Sequence, residues 1–296
     1  MNNLRPTHFK DLVGQSKLIN ALKISVDSAN ARNEALNHCL FSGSAGLGKT
    51  TLSEALANEL GVSIQIANGA NLRSIKNLLP YLTRATERSI VFIDEIHRMT
   101  TLVEEFMYPV MEDFKLNMTD GEEVISIDLP KFTIVGATTE EGSLEAPLRD
   151  RFKLKFTLEL YDELSLSCLI ENNCKKLNVN MSDEAIFSLA SVSRGTPRIA
   201  NGLLEWVRDY QIAKNLDKVC QNKLFDSLAL RGIDPDGSTD NDRKYLNFIR
   251  KQKSPVGVNT IASSININKD TITHVIEPFL LQNNLIIKTS KGRVAV

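Results

Sequence analysis

Cysteine is scarce in this 296-residue chain. The four thiols, Cys39, Cys168, Cys174 and Cys220, form no C-x-x-C pair and have no histidine at metal-ligand spacing. That excludes the usual zinc and disulfide patterns and leaves reduced, mostly buried thiols. Long apolar runs are missing too: none approaches the roughly 20 residues needed to span a bilayer. The opening MNNLRPTHFK has no apolar core of a secretory signal. The expectation is a cytoplasmic protein with no membrane partner. Aromatic residues make up only 6% of the chain. The three in the C-terminal tail, Tyr245, Phe248 and Phe279, read as core rather than as a platform for stacked bases.

Net charge is nearly absent, at -1, but its distribution is lopsided. From residue 241 onward there are nine Lys/Arg against three acids, a surplus of +6 that leaves -7 for residues 1–240. A basic terminal segment on an acidic body points to one part built for a polyanion.

What is present is a clear alternation of strands and helices. HCLFS is a short apolar strand, followed by a glycine loop and the helix KTTLSEALANEL, with Gly61 placed as its C′ residue. VSIQIA alternates as a strand, and residues 71–88 read as a helix interrupted near Pro80. SIVFID and KFTIVGATT are continuous apolar runs suited to strands covered on both faces. Between them lies the helical TTLVEEFMYPVMEDF, in which Pro109 predicts a kink or break. A hairpin follows over 115–129, turning at Asp120-Gly121. KLKFTLEL is a last strand. The pattern predicts an α/β domain, a parallel sheet with helices on both faces, over residues 1–160.

After Leu160 the period is helical, with starts at Ser182 and at Thr196-Pro197, which predicts a small all-α domain over 161–233. The polar, turn-rich IDPDGSTDND follows. Over 234–296, three short helical patterns and two β-prone arms around Ser290-Lys291-Gly292 have the layout of a winged helix.

Gly43-x4-Gly48-Lys49-Thr50 fits the phosphate-loop pattern in full, and it follows a strand and opens a helix as that pattern requires. Glycines let backbone N–H groups wrap phosphates, and the helix N-terminus favours negative charge. Lys49 suits the β and γ phosphates of ATP, and Thr50 suits Mg²⁺. Asp94 ends a buried strand and can hold the metal through water. Glu95 beside it can polarise an attacking water, which fits hydrolysis better than transfer to a metabolite. Arg149, Arg151 and Arg198 are candidates to neutralise the transition state. His97 follows the acidic pair and reads as a positioning or packing residue; His8, His38 and His274 carry no signal.

GSAGLGKTT, FIDEIHR, VEEFMYPVMEDF, VGATT, APLRDRF and RGTPRIAN stand in this order. Together they resemble the RuvB family of AAA+ ATPases, bacterial Holliday junction branch-migration motors, from Leu4 to nearly the end of the chain. The resemblance implies an AAA+ ATPase domain, a lid domain and a C-terminal winged-helix domain. It implies a homo-hexameric ring on duplex DNA, driven by ATP with Mg²⁺. It places Leu4, Arg5, Gly46, Gly48, Lys49, Thr50, Thr51, Glu112, Asp113, Phe114 and Tyr161 at the nucleotide. Thr139 becomes a sensor beside Asp94 and Glu95, Arg151 a finger reaching a neighbour's site, and Arg198 the sensor of the lid. Lys269, Lys288 and Arg293 would touch DNA phosphates, contacts that carry no base information.

Several departures stand out. Ser44 and Ala45 replace two usual prolines, Glu140 replaces an arginine, and KTSKGR has lysines at two arginine positions, which keeps charge but weakens bidentate grip. The hairpin, taken over 114–129, is shorter than in the family, where it binds the junction-recognition partner RuvA; docking is expected through Val124, Ile125 and Ile127. A RuvC-like resolvase is a further candidate partner. Two other readings are a clamp-loader-like or initiator-like ATPase switch that does not translocate, and a small-molecule kinase sharing only the phosphate loop.

Overall fold

The computed structural model describes residues 4–120 and 123–296. The chain divides into two compact units. The first runs up to Leu169 and includes Thr196–Arg198; the second comprises Ile170–Gly195 and Ile199–Val296.

The first unit begins with α1 (Ser16–Arg32), then β1 (Cys39–Ser42), α2 (Lys49–Leu60), β2 (Ile64–Asn68), α3 (Ile75–Thr83), β3 (Ile90–Asp94) and α4 (Thr101–Asp113). It continues with the hairpin β4 (Lys115–Asp120) and β5 (Glu123–Asp128), then β6 (Thr133–Thr138), α5 (Ala146–Arg151) and β7 (Leu154–Thr157). Five strands form a parallel sheet in the order β2-β3-β6-β1-β7. Because β-strand side chains alternate, successive residues feed two separate cores. Val91 and Ile93 join a cluster with Leu78, Leu82, Val103 and Met107 from α3 and α4. Ile90 and Phe92 join another with Leu22, Val26, Leu52 and Leu56 from α1 and α2. This double burial is why the central strands read as unbroken apolar runs.

Three local expectations need adjusting. No element was read before residue 38, yet α1 covers 17 residues and buries Leu18, Leu22, Val26 and Ala29 along one face. The helix expected over 71–88 is only α3, because Gly69–Asn71 forms a 3₁₀ turn ahead of it. Pro80 lies inside α3, so the interruption expected there does not occur. Pro109 likewise lies within α4, which ends with Phe114 in a left-handed conformation (φ 53). In the hairpin, Thr119 pairs with Val124 and Leu116 with Ile127. The expected turn residue Gly121 and the side chain of Val124 lie outside the described residues.

The second unit carries α6 (Glu163–Leu177, entered from the first unit), α7 (Asp183–Val192), most of α8 (Pro197–Ala213) and α9 (Gln221–Ala229). It then carries α10 (Asp240–Arg250), α11 (Val258–Ile265), α12 (Lys269–Thr271), a π-helical turn Ile272–Ile276, α13 (Glu277–Gln282) and the antiparallel pair β8 (Ile286–Thr289) and β9 (Gly292–Ala295). Ser182 caps α7 by accepting from the Ala185 N–H, as its sequence position implies. Val256 bridges to Arg293 and adds a third extended segment to the wing. Tyr245, Ile249, Ile261, Ile276, Phe279 and Leu280 form the core of this winged helix, so Tyr245 and Phe279 are indeed core aromatics.

Candidate ATPase site

The carboxyl ends of β1, β3 and β6 lie side by side in the sheet, because β6 pairs with both β1 and β3. In parallel α/β sheets this edge is where ligands bind. Here it collects the phosphate loop after β1, Asp94 at the end of β3 with Glu95 next to it, and Thr138 at the end of β6 with Thr139 next to it.

In the loop, Gly46 and Gly48 adopt φ 83 and 98, left-handed values that side chains disfavour. At Gly46 there is also no room: a Cβ would lie 2.8 Å from Thr196 Cγ2 and 3.0 Å from Arg198 Cβ. At Gly48 the same position meets nothing within 4 Å, so the loop opens there. Lys49 is buried, and its ammonium donates to the carbonyls of Gly43 (2.6 Å) and Ser44 (3.0 Å). Burial pushes its pKa below the usual lysine value, the Glu95 and Asp94 carboxylates work against that, and the Arg198 cation adds to it. The Arg198 N–H donates to the Gly46 carbonyl (3.3 Å), which brings this sensor candidate onto the loop itself.

Glu95 is held in a left-handed conformation (φ 48), uncommon for a non-glycine residue and a form of strain found at functional sites. Its backbone is pressed by the turn after β2: a Cβ on Gly69 would lie 2.3 Å from the Glu95 carbonyl oxygen. Its side chain accepts a hydrogen bond from the Thr139 hydroxyl (3.1 Å). His97 Nδ1 lies 3.0 Å from Thr138 Oγ1 and 3.4 Å from Glu95 Oε2. His97 thus contacts both Glu95 and the buried Thr138, and Thr138 is a member of this cluster that the sequence did not point to. Sequence gave no signal for either contact beyond proximity to the acidic pair.

Arg5 reaches Glu54 on α2 (3.4 Å), and the Tyr161 ring crosses Gly14 closely enough that a Cβ there would meet it at 2.7 Å. Burial pushes the Tyr161 hydroxyl up to about 12. Leu4 is half-buried. Thr50 and Thr51 are half-buried at the start of α2. A buried lysine faced by two carboxylates beside an open glycine cradle matches a nucleotide polyphosphate with a divalent cation. Among the described residues, no cluster of three or more His, Cys, Asp or Glu side chains could hold a metal by itself.

Arg151, Glu112 and Phe114 gather in a different place, a groove of about 630 Å³ whose lining contains no phosphate-loop residue. Arg151 pairs with Glu112 (3.1 Å), donates to the Pro147 carbonyl (2.7 Å) and lies 4.2 Å over the Tyr108 ring. Asp113 is exposed at the end of α4. His38 lines the same groove; its Nε2 faces the Met111 carbonyl (3.0 Å) and its Nδ1 accepts from the Ile134 N–H (2.9 Å). The side chain that carried no signal in the sequence is thus a buried connector between α4 and β6.

In the winged helix, Lys269 is exposed at the start of α12. Lys288 and Arg293 converge on Glu277, at 2.7 and 2.8 Å, and the Tyr245 hydroxyl donates to it at 2.9 Å. Glu277 is fully buried. Burial works to raise its pKa, but hydrogen bonds from Arg293, Lys288 and Tyr245 hold it below the usual carboxylate value. On the 115–129 hairpin, Ile125 and Ile127 are exposed.

Three family descriptions match along the chain: the Holliday junction DNA helicase RuvB P-loop domain over residues 4–158, the RuvB AAA lid domain over 161–234, and the RuvB C-terminal winged helix domain over 236–296. The chain belongs to the RuvB family. It is 43% identical to the Holliday junction branch migration complex subunit RuvB of Myxococcus xanthus, over 99% of this chain and 87% of that protein. The subunit of the same description from Kosmotoga olearia is also 43% identical, with the same coverage of both. Among solved structures, the Thermotoga maritima RuvB Holliday junction branch migration motor superposes with a TM-score of 0.89 at 35% identity, covering 99% of this chain and 95% of that one. As a member of the RuvB family the chain is a P-loop AAA+ ATPase with a lid and a winged helix. Among the described residues, no helix is long and apolar enough to cross a membrane.

Proposed function

We propose that this protein is the ATP-driven motor that moves Holliday junctions along duplex DNA, acting in the cytoplasm as a homo-hexameric ring. The observation that carries the reading is the pairing of a strained, hydroxyl-bridged Glu95 at the nucleotide site with a winged helix on the same chain. The phosphate loop and Lys49 grip ATP, with Thr51 beside them; Leu4, Arg5 and Tyr161 flank the nucleotide. Thr50, and Asp94 through water, would hold Mg²⁺, which would supply positive charge to the phosphates. Glu95 takes the proton of the attacking water, and Thr139 orients that carboxylate. Arg198 reports nucleotide state to the lid.

Arg151 shares a groove with Glu112 and Phe114, away from its own phosphate loop. That separation supports a finger supplied to a neighbouring copy, with Glu112, Asp113 and Phe114 approaching the same neighbouring nucleotide. Lys269, Lys288 and Arg293 meet DNA phosphates, which lets the motor run over any sequence. The exposed Ile125 and Ile127, with Val124, form the docking site for a RuvA-like junction-binding protein. A RuvC-like resolvase would act on the same junctions. The RuvB names of the relatives favour this motor over a non-translocating switch.

The test is strand displacement of a synthetic four-way junction with ATP, Mg²⁺ and the RuvA-like protein of the same genome, at moderate salt. Junction migration that stops on Lys49→Ala supports the reading. ATP hydrolysis with junction binding and no migration would instead identify a switch.

A further inference from the structure

The second unit holds both the lid helices and the winged helix, and Arg194 ties the one to the other. It follows α7 in a left-handed conformation (φ 55). Its guanidinium donates to Asp242 Oδ2 and to the Gly237 carbonyl, both at 2.6 Å, and lies 3.8 Å over the Phe279 ring. These three residues belong to α10, to the segment leading into it and to α13. The pair is enclosed: the Arg194 side chain is 13% exposed and that of Asp242 1%. Asp242 is itself fixed by the Thr239 N–H (2.7 Å) and hydroxyl (2.6 Å) in a capping box that starts α10. The connecting segment is clamped as well. Gly237 (φ 81) lies so near α7 that a Cβ would sit 3.3 Å from Val192 Cα, and Arg243 pairs with Asp234 and Asp240.

The sequence read this connection as a polar, turn-rich linker, the composition of a flexible joint. Instead a planar, always-charged group is held there, mostly out of solvent, against a carboxylate, a carbonyl and an aromatic face at once. Lysine could not reproduce that geometry. Arg194 also begins the RGTPR run whose last residue, Arg198, bonds Gly46 in the phosphate loop. One short segment is thus anchored to the winged helix at its start and to the nucleotide loop at its end.

We propose that Arg194 is the coupling residue of the motor. It locks the winged helix to the lid, so that lid displacement during the ATP cycle reaches DNA instead of being absorbed in residues 233–239. This rests on the motor reading above. It acts through Asp242, Gly237 and Phe279 and touches no reacting atom.

The experiment uses the full chain with the RuvA-like protein and measures nucleotide affinity, ATP hydrolysis and junction migration together for Arg194→Gln, Arg194→Lys and Phe279→Leu. Nucleotide affinity and hydrolysis are expected to stay near those of the unsubstituted chain. Junctions migrated per ATP should fall about tenfold in Arg194→Gln, a size typical of lost coupling, and less in the two milder variants. If Arg194→Gln fails to fold, as judged by melting temperature, the two milder variants carry the test. Unchanged migration per ATP in the folded variants would overturn the proposal. So would a proportional fall of hydrolysis and migration, which is what general destabilisation gives. Absence of migration in the unsubstituted chain, with hydrolysis intact, would overturn the motor reading itself.

Discussion

The Thr139 hydroxyl donates to the Glu95 carboxylate across 3.1 Å, linking the end of β6 to the end of β3. Among the described residues Glu95 is the one carboxylate with a left-handed backbone, and the bond ties this proposed water-activating base to the proposed phosphate sensor.

Replacing Thr139 with valine removes the donor while keeping the shape. The turnover number should fall roughly 10- to 100-fold with little change in nucleotide affinity, the signature of a contact that matters in the transition state. Glu95→Gln should bind nucleotide and stop turnover. Steady-state kinetics beside equilibrium nucleotide binding checks both, and normal turnover in Glu95→Gln would remove the assigned role.

His38 sets a pH limit on the large domain. Burial pushes its pKa from 6.5 down to about 4, only partly offset by the Met111 carbonyl. The unfolded chain therefore binds a proton in this window that the folded chain refuses. The stability this neutral imidazole supports is complete above pH 6.5 and is lost as pH falls from 6.5 towards 4, by about 3 kcal/mol in all. Urea unfolding at several pH values should show that slope, and His38→Gln should flatten it while lowering stability at neutral pH.

Glu277 sets a second limit in the winged helix. Its folded pKa lies below the ordinary 4.5, so its contribution is present above that value and fades as pH falls. Glu277→Ala would leave the half-buried Arg293 without its counter-ion, at a cost of about 1–3 kcal/mol, less than for a fully buried pair because water can reach the guanidinium. Denaturation followed by a winged-helix probe should register the loss, with nucleotide binding to the large domain retained.

Local signals were legible in the sequence because consecutive residues create them. The loop from Gly43 to Thr50 and the strand ending in Asp94-Glu95 needed only a strand, a turn and a helix start. The first helix escaped because its N-cap residue, Gln15, is left-handed and makes no side-chain cap, and its apolar stripe is interrupted by polar positions. The pairings of Arg151 with Glu112 and of His97 with Thr138 were not legible, since sheet order, not sequence spacing, brings them together. The positive tail could be counted, but a count of charges gives no hint that Lys288 and Arg293 share the buried Glu277. Nor does composition show that a linker rich in turn residues is pinned by Arg194.

Whether adjacent copies complete each other's ATP site is decided by mixing two inactive variants, Arg151→Ala and Glu95→Gln, and measuring ATP hydrolysis. In a head-to-tail ring each site takes its glutamate from one copy and its arginine from the next, so random equimolar mixing should restore roughly a quarter of the sites. Recovery to that order is the predicted result. An Arg151→Ala protein that hydrolyses ATP at the unsubstituted rate by itself, or a well-folded mixture with no recovery, would contradict a shared site.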